Sequence, residues 1–566
     1  MDFFIKKDKS KLESIYIEYI NSLDSINYKD NILYIEKLAH LDYVEKKDEY
    51  KSEIAIGDII KCDKEVKTLA NHKGVYYLFV FENNNSILTI KSDFHSLLPV
   101  YYMEDDSYFY VSSSFKLLAN QLREKKINKK FYIDIALFLY QMDNETCLEG
   151  IKKIGYGDEI ILNSDFIINN TKRFYNYFVE KPSTFKENLA KIADKFIEIS
   201  QYYVKEPSAI SLTGGFDGRV NTACALFHKA DFITFSYGKK GNGDVDNPMY
   251  LADKLGFQYH LIDLSEFKGK EYLENVDNYL LNSGGLNAFQ FPQSLACIKE
   301  ISNFKKIVVN GYVGSEILAS CKGPGVELQL PSVVDYVKNE SVENSVANQL
   351  YEILKELKFI DSKNEITEAL LRLKKYFDGL PDSSTKNQKI ACYTFEHDII
   401  NLFGTWIYNG MHFAKMRVPF LDNDFFESII QTEVSQFYRP FLETSMLKRI
   451  KGQKLYPVIL NKTHPDLNKL MSSKGYAPQD IANVFGLAKI FLRKLFKINR
   501  FKGNQNWLDS MSTYKGALYY LKNYCSASSE SKYNEIVNKY LSKDEYSRSL
   551  CLLSLTQTEL KRLLNQ

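Results

Sequence analysis

The sequence predicts an α/β protein in two parts: a strand-rich first part, then a doubly wound parallel sheet that continues into a helical C-terminal portion. Three observations carry the prediction. Residues 54 to 115 break into short β-rich runs separated by turn signals. After residue 185 short apolar strands alternate with helical patterns, and beyond about residue 330 the pattern is mostly helical.

In the first part the β-rich runs are 53–57, 74–81, 86–90 and 108–111, with Asn83 to Asn85 and Glu104 to Ser107 as natural hairpin connections. Segments 150–162 and 173–175 read as its closing strands. In the second part the strands are 209–212, 232–236, 259–264 and 306–310, with 247–255 as a helix between them. Parallel sheets of this kind bind ligands beyond the carboxyl ends of their strands, where 213–217, 236–238 and 310–316 all fall.

The stretch from Ser208 to Arg219 is the most informative. A short apolar strand runs into Leu212, Thr213, Gly214 and Gly215, then Asp217 and a helix, which is the layout of a pyrophosphate-binding loop. Glycines let backbone N–H groups approach phosphate oxygens, with positive φ available to them, while the helix points its positive end at the same anion. Thr213 adds a hydroxyl donor and Asp217 a hard oxygen ligand for Mg2+. An ordinary strand-to-helix turn with an N-cap carboxylate fits the same residues.

The chain has 566 residues, is 45% hydrophobic and 25% charged, and carries a formal net charge of +2, values of an ordinary globular protein of more than one domain. The near-neutral balance argues against nucleic acid as a partner. Eight cysteines lie far apart without zinc-binding spacing and read as reduced thiols. The charged N-terminus lacks a signal-peptide run and no apolar stretch is long enough to span a bilayer, so the expected location is cytoplasmic. Residues 489–500 form a basic amphipathic helix, read either as a solvated face over a buried apolar stripe or as a surface for an anionic partner. Residues 552–564 read as an amphipathic helix packed on the protein.

Four blocks in one order resemble the glutamine-dependent asparagine synthetase family, whose relatives include the β-lactam synthetases and lasso-peptide cyclases. They are Asp93-Phe-His-Ser-Leu-Leu-Pro-Val-Tyr-Tyr102 with the Val111 to Leu118 stretch, the closing segment of Gly150–Leu162 and Arg173–Tyr175, the loop 212–217, and Arg417-Val-Pro-Phe-Leu-Asp422. Together they span about residues 70 to 480. The resemblance implies a degenerate amidotransferase-like (Ntn) α+β sandwich over residues 1–180 and an ATP-pyrophosphatase (PP-loop) domain over 181–566. It implies Mg2+ and ATP, a carboxylate activated as an acyl-adenylate, and an amine that displaces AMP to form an amide.

Carried over residue by residue, the resemblance makes Leu212, Thr213, Gly214, Gly215, Asp217, Ser236 and Gly311 nucleotide-binding, with Asp217 also the metal ligand. Lys474, Tyr312 and Glu316 become the catalytic candidates, Lys474 for transition-state charge and Tyr312 at the family's general-base position. Lys474 before Gly475 also fits a plain helix end. Arg417 and Asp422 read as fold markers, an anchored loop and a helix cap.

Several positions depart from the family. Asp2 stands where glutaminase chemistry needs a cysteine, so the amine is expected from another source. Ser315 stands where a metal-binding aspartate is expected, with Glu316 beside it as a replacement, and Lys415 where an acid is expected. Gly218 and Arg219 replace serines, which predicts a guanidinium facing phosphate. The leading expectation is an ATP-dependent amide-forming ligase, taking a small-molecule or peptide carboxylate and an amine donor. The rivals are a non-catalytic scaffold and a pyrophosphate-loop enzyme with another acceptor, and a homodimer is left open.

Overall fold

The computed structural model describes residues 2–8, 24–28, 31–35, 38–60, 68–82, 87–163, 165–171, 173–178, 184–264, 270–286, 292–319, 330–343, 345–356, 358–442, 445 and 450–496. The expected hairpin at 83–85, the helix at 552–564, and Cys62, Cys321, Cys525 and Cys551 lie outside them. Cys147, Cys224, Cys297 and Cys392 are buried free thiols.

The first part is two antiparallel six-stranded sheets. One contains β1 (Phe3–Asp8), β2 (Asp24–Tyr28), β3 (Asn31–Ile35), β8 (Tyr101–Glu104), β9 (Tyr108–Ser112) and β10 (Lys152–Lys153), in the order β10-β8-β9-β1-β3-β2. The other contains β4 (Asp42–Lys47), β5 (Lys51–Ile60), β6 (Lys73–Glu82), β7 (Ile87–Lys91), β11 (Asp158–Leu162) and β12 (Phe166–Asn170), in the order β12-β11-β7-β6-β5-β4. They meet through aromatic rings: Phe3 of β1 packs edge-on against Tyr77 and Phe79 of β6, at 5.1 and 5.0 Å between centroids. The connection from β8 to β9 turns on Asp105, whose carboxylate accepts from the amides of Ser107 and Tyr108, both at 2.8 Å.

Segment 173–175 is not a strand, contrary to the sequence expectation. Phe174–Tyr177 is a single 3-10 turn, because Phe174 is drawn into an aromatic cluster and stacks on Phe395 at 4.4 Å instead of meeting a neighbouring strand. Strand β1 was hidden by its charged flank, since Phe3, Phe4 and Ile5 are buried while Lys6 is partly open.

The second part holds a parallel sheet of β13 (Ser208–Ser211), β14 (Phe232–Gly238), β15 (Tyr259–Asp263), β16 (Ile307–Val309) and β17 (Lys415–Arg417), in the order β15-β14-β13-β16-β17. All its pairings are parallel. Four of these strands were expected, and β17 was not. The direction of winding reverses between β13 and β16, and the carboxyl ends of strands at such a reversal are where sheets of this kind place their ligands.

Strand β17 ties this sheet to the first part. The Arg417 guanidinium binds Asp58 of β5 at 3.0 Å, Glu206 at 2.6 Å and the Tyr203 carbonyl at 3.1 Å, all from a fully buried position. The anchoring bonds expected of Arg417, to carboxylates and a carbonyl, are made, but from the end of a strand and not from a loop. Lys415 pairs with Asp42 at 2.8 Å. Asp422 behaves as expected: its carboxylate caps helix Asn423–Ile430 through the amides of Asp424 and Phe425, and it also receives Lys73 at 2.8 Å.

Candidate functional site

Helix α1 (Phe185–Val204) precedes β13, and the chain then enters α2 (Asp217–Phe227) through the glycine loop. Neither Gly214 nor Gly215 takes positive φ, contrary to expectation. Gly214 is needed for close approach, since a Cβ there would lie 2.1 Å from the Ser473 hydroxyl. Gly218 is needed likewise, with a Cβ meeting the Ser211 carbonyl at 2.3 Å, so a serine here has no room.

The loop's amides have protein partners. Gly214 N–H donates to the Asp244 carboxylate at 3.0 Å, and Gly215 N–H donates to the Thr213 hydroxyl at 3.3 Å. Asp244 lies in the first turn of α3 (Gly243–Leu255), beyond the end of β14. Ser473 N–H donates to the Gly214 carbonyl at 3.2 Å, which brings segment 471–476 over the loop. Leu212 is buried and its amide belongs to the sheet, donating to the Phe235 carbonyl at 2.9 Å. The Ser236 hydroxyl is buried and shared with Tyr259 at 2.6 Å.

Asp217 is gripped from three sides. Its carboxylate accepts from the Tyr456 hydroxyl and, at 3.3 Å, from the Ser315 hydroxyl. The loop after β16 passes so close that a Cβ on Gly314 would lie 2.1 Å from an Asp217 oxygen, and one on Gly311 would lie 2.7 Å from its Cβ. Burial holds the carboxyl above its usual range, with Tyr456 and Lys474 pulling the other way. Val313, in the same loop, takes φ +69°, a left-handed conformation that a β-branched residue adopts at a cost.

Lys474 does not end a helix. It sits in a turn before Gly475, at φ +83°, with its ammonium 4.9 Å over the Phe216 ring. Crowding by protein lowers its pKa, Asp217 and Asp244 work to raise it, and the exposed surface of the residue moderates the shift. Arg219 overturns its sequence expectation. Its guanidinium is fully buried and points away from the loop, to the carbonyls of Leu467 (3.1 Å), Leu470 (2.6 Å) and Met471 (3.1 Å) and to Asn247 (3.0 Å). It fastens the segment that carries Lys474 onto α2.

Glu316 and Tyr312 stand on the other wall. Burial pushes the Glu316 carboxyl up to about 7, and the charges of Asp217 and Asp398 add to the shift. Tyr312 packs against Phe403 at 5.2 Å and Trp406 at 5.3 Å, and burial carries its hydroxyl far above the ordinary tyrosine value. Lys415 is elsewhere, on Asp42. Asp2 receives hydrogen bonds from Tyr408 and, at 3.4 Å, Ser113.

No family model matches this chain, and no curated protein matches it. Among solved structures it is similar to a glutamine phosphoribosylpyrophosphate (PRPP) amidotransferase from B. subtilis complexed with ADP and GMP. Identity is 9%, the match covers 46% of this chain and 59% of that one, and the TM-score is 0.17, too low to establish a common fold.

The chemistry of the groups around Asp217 decides what they could hold. Asp217 supplies one carboxylate, with the Ser315 and Tyr456 hydroxyls on it. Among the described residues no group of three or more histidine, cysteine or carboxylate side chains could hold a metal ion. Such a donor set fits Mg2+ that arrives with phosphates, since that ion keeps waters and takes one or two carboxylates. It does not fit an ion held by protein alone. The Asp244 oxygen on Gly214 N–H is an internal stand-in for an anion, so that amide accepts negative charge but is already served. Asp244 and Tyr456 carried no motif, and only their closeness in space to the loop reveals them; Ser473 stood beside Lys474 in the sequence with no role of its own expected.

Proposed function

We propose that this chain is an ATP-dependent, AMP-forming amide ligase of the asparagine synthetase type, with a PP-loop domain behind an Ntn-like amidotransferase sandwich that has no glutaminase of its own. The observation that carries the reading is the meeting of three elements at one strand-order reversal. The loop 212–217 and the loop 310–316 flank it, and Lys474 lies over Phe216 at the mouth.

In this reading the oxygen of a substrate carboxylate attacks the α-phosphorus of ATP and pyrophosphate leaves. Lys474 offsets the growing charge. Asp217 would hold Mg2+ together with the Ser315 hydroxyl, and the ion would neutralise phosphate charge. The nitrogen of an amine then attacks the acyl carbon, AMP leaves, and the amine's proton passes to a base. Glu316, at about 7, is matched to that task near neutral pH. Tyr312 is a weaker candidate because its hydroxyl resists ionisation, and it serves as a wall of the acceptor site. With Asp2 in place of a cysteine, the amine comes as ammonia or as an amino group of the acceptor.

A second reading is favoured by Asp244 on Gly214 and by the full engagement of Asp217. It is a non-catalytic scaffold whose loop is closed by its own side chains. ATP–pyrophosphate exchange over a panel of carboxylates, with titration calorimetry of Mg2+ and ATP, separates the two. Exchange with any carboxylate supports the ligase. Absence of nucleotide binding both in the wild-type chain and in Asp244→Ala would leave only the scaffold.

A further inference from the structure

The segment from Arg417 to Asp422 is held at both ends by the first part of the chain. At one end Asp58 of β5 accepts two hydrogen bonds from the Arg417 guanidinium, 3.0 Å from Nε and 3.1 Å from Nη2, and neither side chain has exposed surface. At the other end Lys73 of β6 donates to the Asp422 carboxylate at 2.8 Å. Between them the buried His95 ring meets the Leu421 carbonyl through Nε2 at 2.9 Å. Groups of one part thus fix a short segment of the other.

The loop 310–316 rests on that segment. Asn310 N–H, at the start of the loop, donates to the Arg417 carbonyl at 2.8 Å. Farther along, the Phe420 ring comes so close that a Cβ on Gly314 would lie 3.3 Å from its Cζ. Asn221 and Gln436 of the second part hold the Asn310 and Glu316 carbonyls, which leaves the Asn310 amide to the clamped segment. The loop needs such support, because Val313 holds φ +69°, and a strained conformation persists only where its surroundings over-determine it. The same loop puts the Ser315 hydroxyl on Asp217 at 3.3 Å and carries Glu316. A shift of the segment would reach both groups.

We propose that the first part acts as a clamp on the second, with Asp58 and Lys73 as positioning residues that hold loop 310–316 against Asp217 through the segment from Arg417 to Asp422. The inference rests on the reading of that loop as a wall of the ligase site, and hydrogen exchange tests it apart from that reading.

The test compares the full-length wild type with Asp58→Asn and Lys73→Met. Lys73→Met is the milder change, because Asp422 keeps the Tyr203 hydroxyl at 3.1 Å and its helix cap, so it covers the case in which Asp58→Asn does not fold. Asp134→Asn is the control, since it breaks another buried ion pair between the parts, to Arg372, outside the clamped segment. Backbone hydrogen exchange is followed by mass spectrometry. In the clamp variants the amides of 310–318 should exchange about tenfold faster than in the wild type, beyond any change at 208–227, whereas the control should change both regions alike. In an active enzyme the clamp variants should lose about tenfold or more in kcat for ATP–pyrophosphate exchange. KM for ATP should move less, because the glycine loop keeps its own contacts. Hydrogen exchange at 310–318 that stays at the wild-type rate, or rises only in step with 208–227, overturns the clamp. Equal selective loosening in Asp134→Asn overturns it too, as does an unchanged kcat in an active enzyme. Selective loosening in the clamp variants of a chain whose wild type activates no carboxylate keeps the clamp and removes the ligase.

Discussion

The Gly214 amide and the Asp244 carboxylate are joined at 3.0 Å, a charge-assisted hydrogen bond in which the protein supplies its own anion to a glycine loop. Any phosphate seated on that amide must displace Asp244 and also meet its charge. Asp244→Ala should therefore tighten nucleotide binding by about tenfold, measured by calorimetry with Mg2+ and ATP. An unchanged or weaker affinity would show that Asp244 is not in competition with the nucleotide.

Lys474 is the one cation whose side chain lies over the loop aromatic while interacting with Asp217 and Asp244 among the described residues. Lys474→Ala should lower ATP–pyrophosphate exchange by about a hundredfold or more with little change in thermal stability, because the residue is exposed. Asp217→Asn should abolish exchange in the presence of Mg2+. Full turnover in either variant would remove that residue from the proposed site.

Glu316 makes a pH prediction whose sign can be worked out. Its carboxyl is raised from 4.5 to about 7 in the folded chain, chiefly by burial. Between those values the native state holds a proton that the unfolded state has lost, so the residue's contribution to stability falls as pH rises through that window. Glu316→Gln should remove this fall, and urea denaturation from pH 4.5 to 7.5 measures it. Amide formation should rise with pH through about 7 in the wild type and lose that rise in the variant.

Arg219 should prove to be a residue of stability. Arg219→Ala takes the buried guanidinium from the Leu467 and Leu470 carbonyls and the Asn247 carboxamide oxygen, while the Met471 carbonyl keeps the Asn247 amide at 2.8 Å; the expected loss is about 3 kcal/mol or more in chemical denaturation. Its nucleotide affinity should drop only as far as the Lys474 segment loosens. Selective loss of phosphate binding at unchanged stability would restore the sequence reading of a guanidinium at the phosphate.

Much of the second part was legible because its signals are local. Strands β13 to β16 are short apolar runs bounded by turns, and the loops 212–217 and 310–316 had to fall at their carboxyl ends. The N-cap of Asp422 was legible for the same reason, since a cap reaches only its next few residues. Strand β17 was not, because three residues ahead of a proline carry too little pattern, and its pairing with β16 joins residues more than a hundred positions apart.

Sequence alone determined the alternation of strand and helix and the place of the glycine loop, since each depends on neighbours along the chain. Tertiary structure decided what those residues face. It put Asp244 on Gly214, Tyr456 on Asp217, the Arg219 guanidinium on the segment behind Lys474, and Phe485 and Phe491 of helix Val484–Leu495 in exposed positions. The physical reason is that a side chain's chemistry is set by the charges, donors and burial around it, and folding assembles those from segments as far apart as 217 and 456.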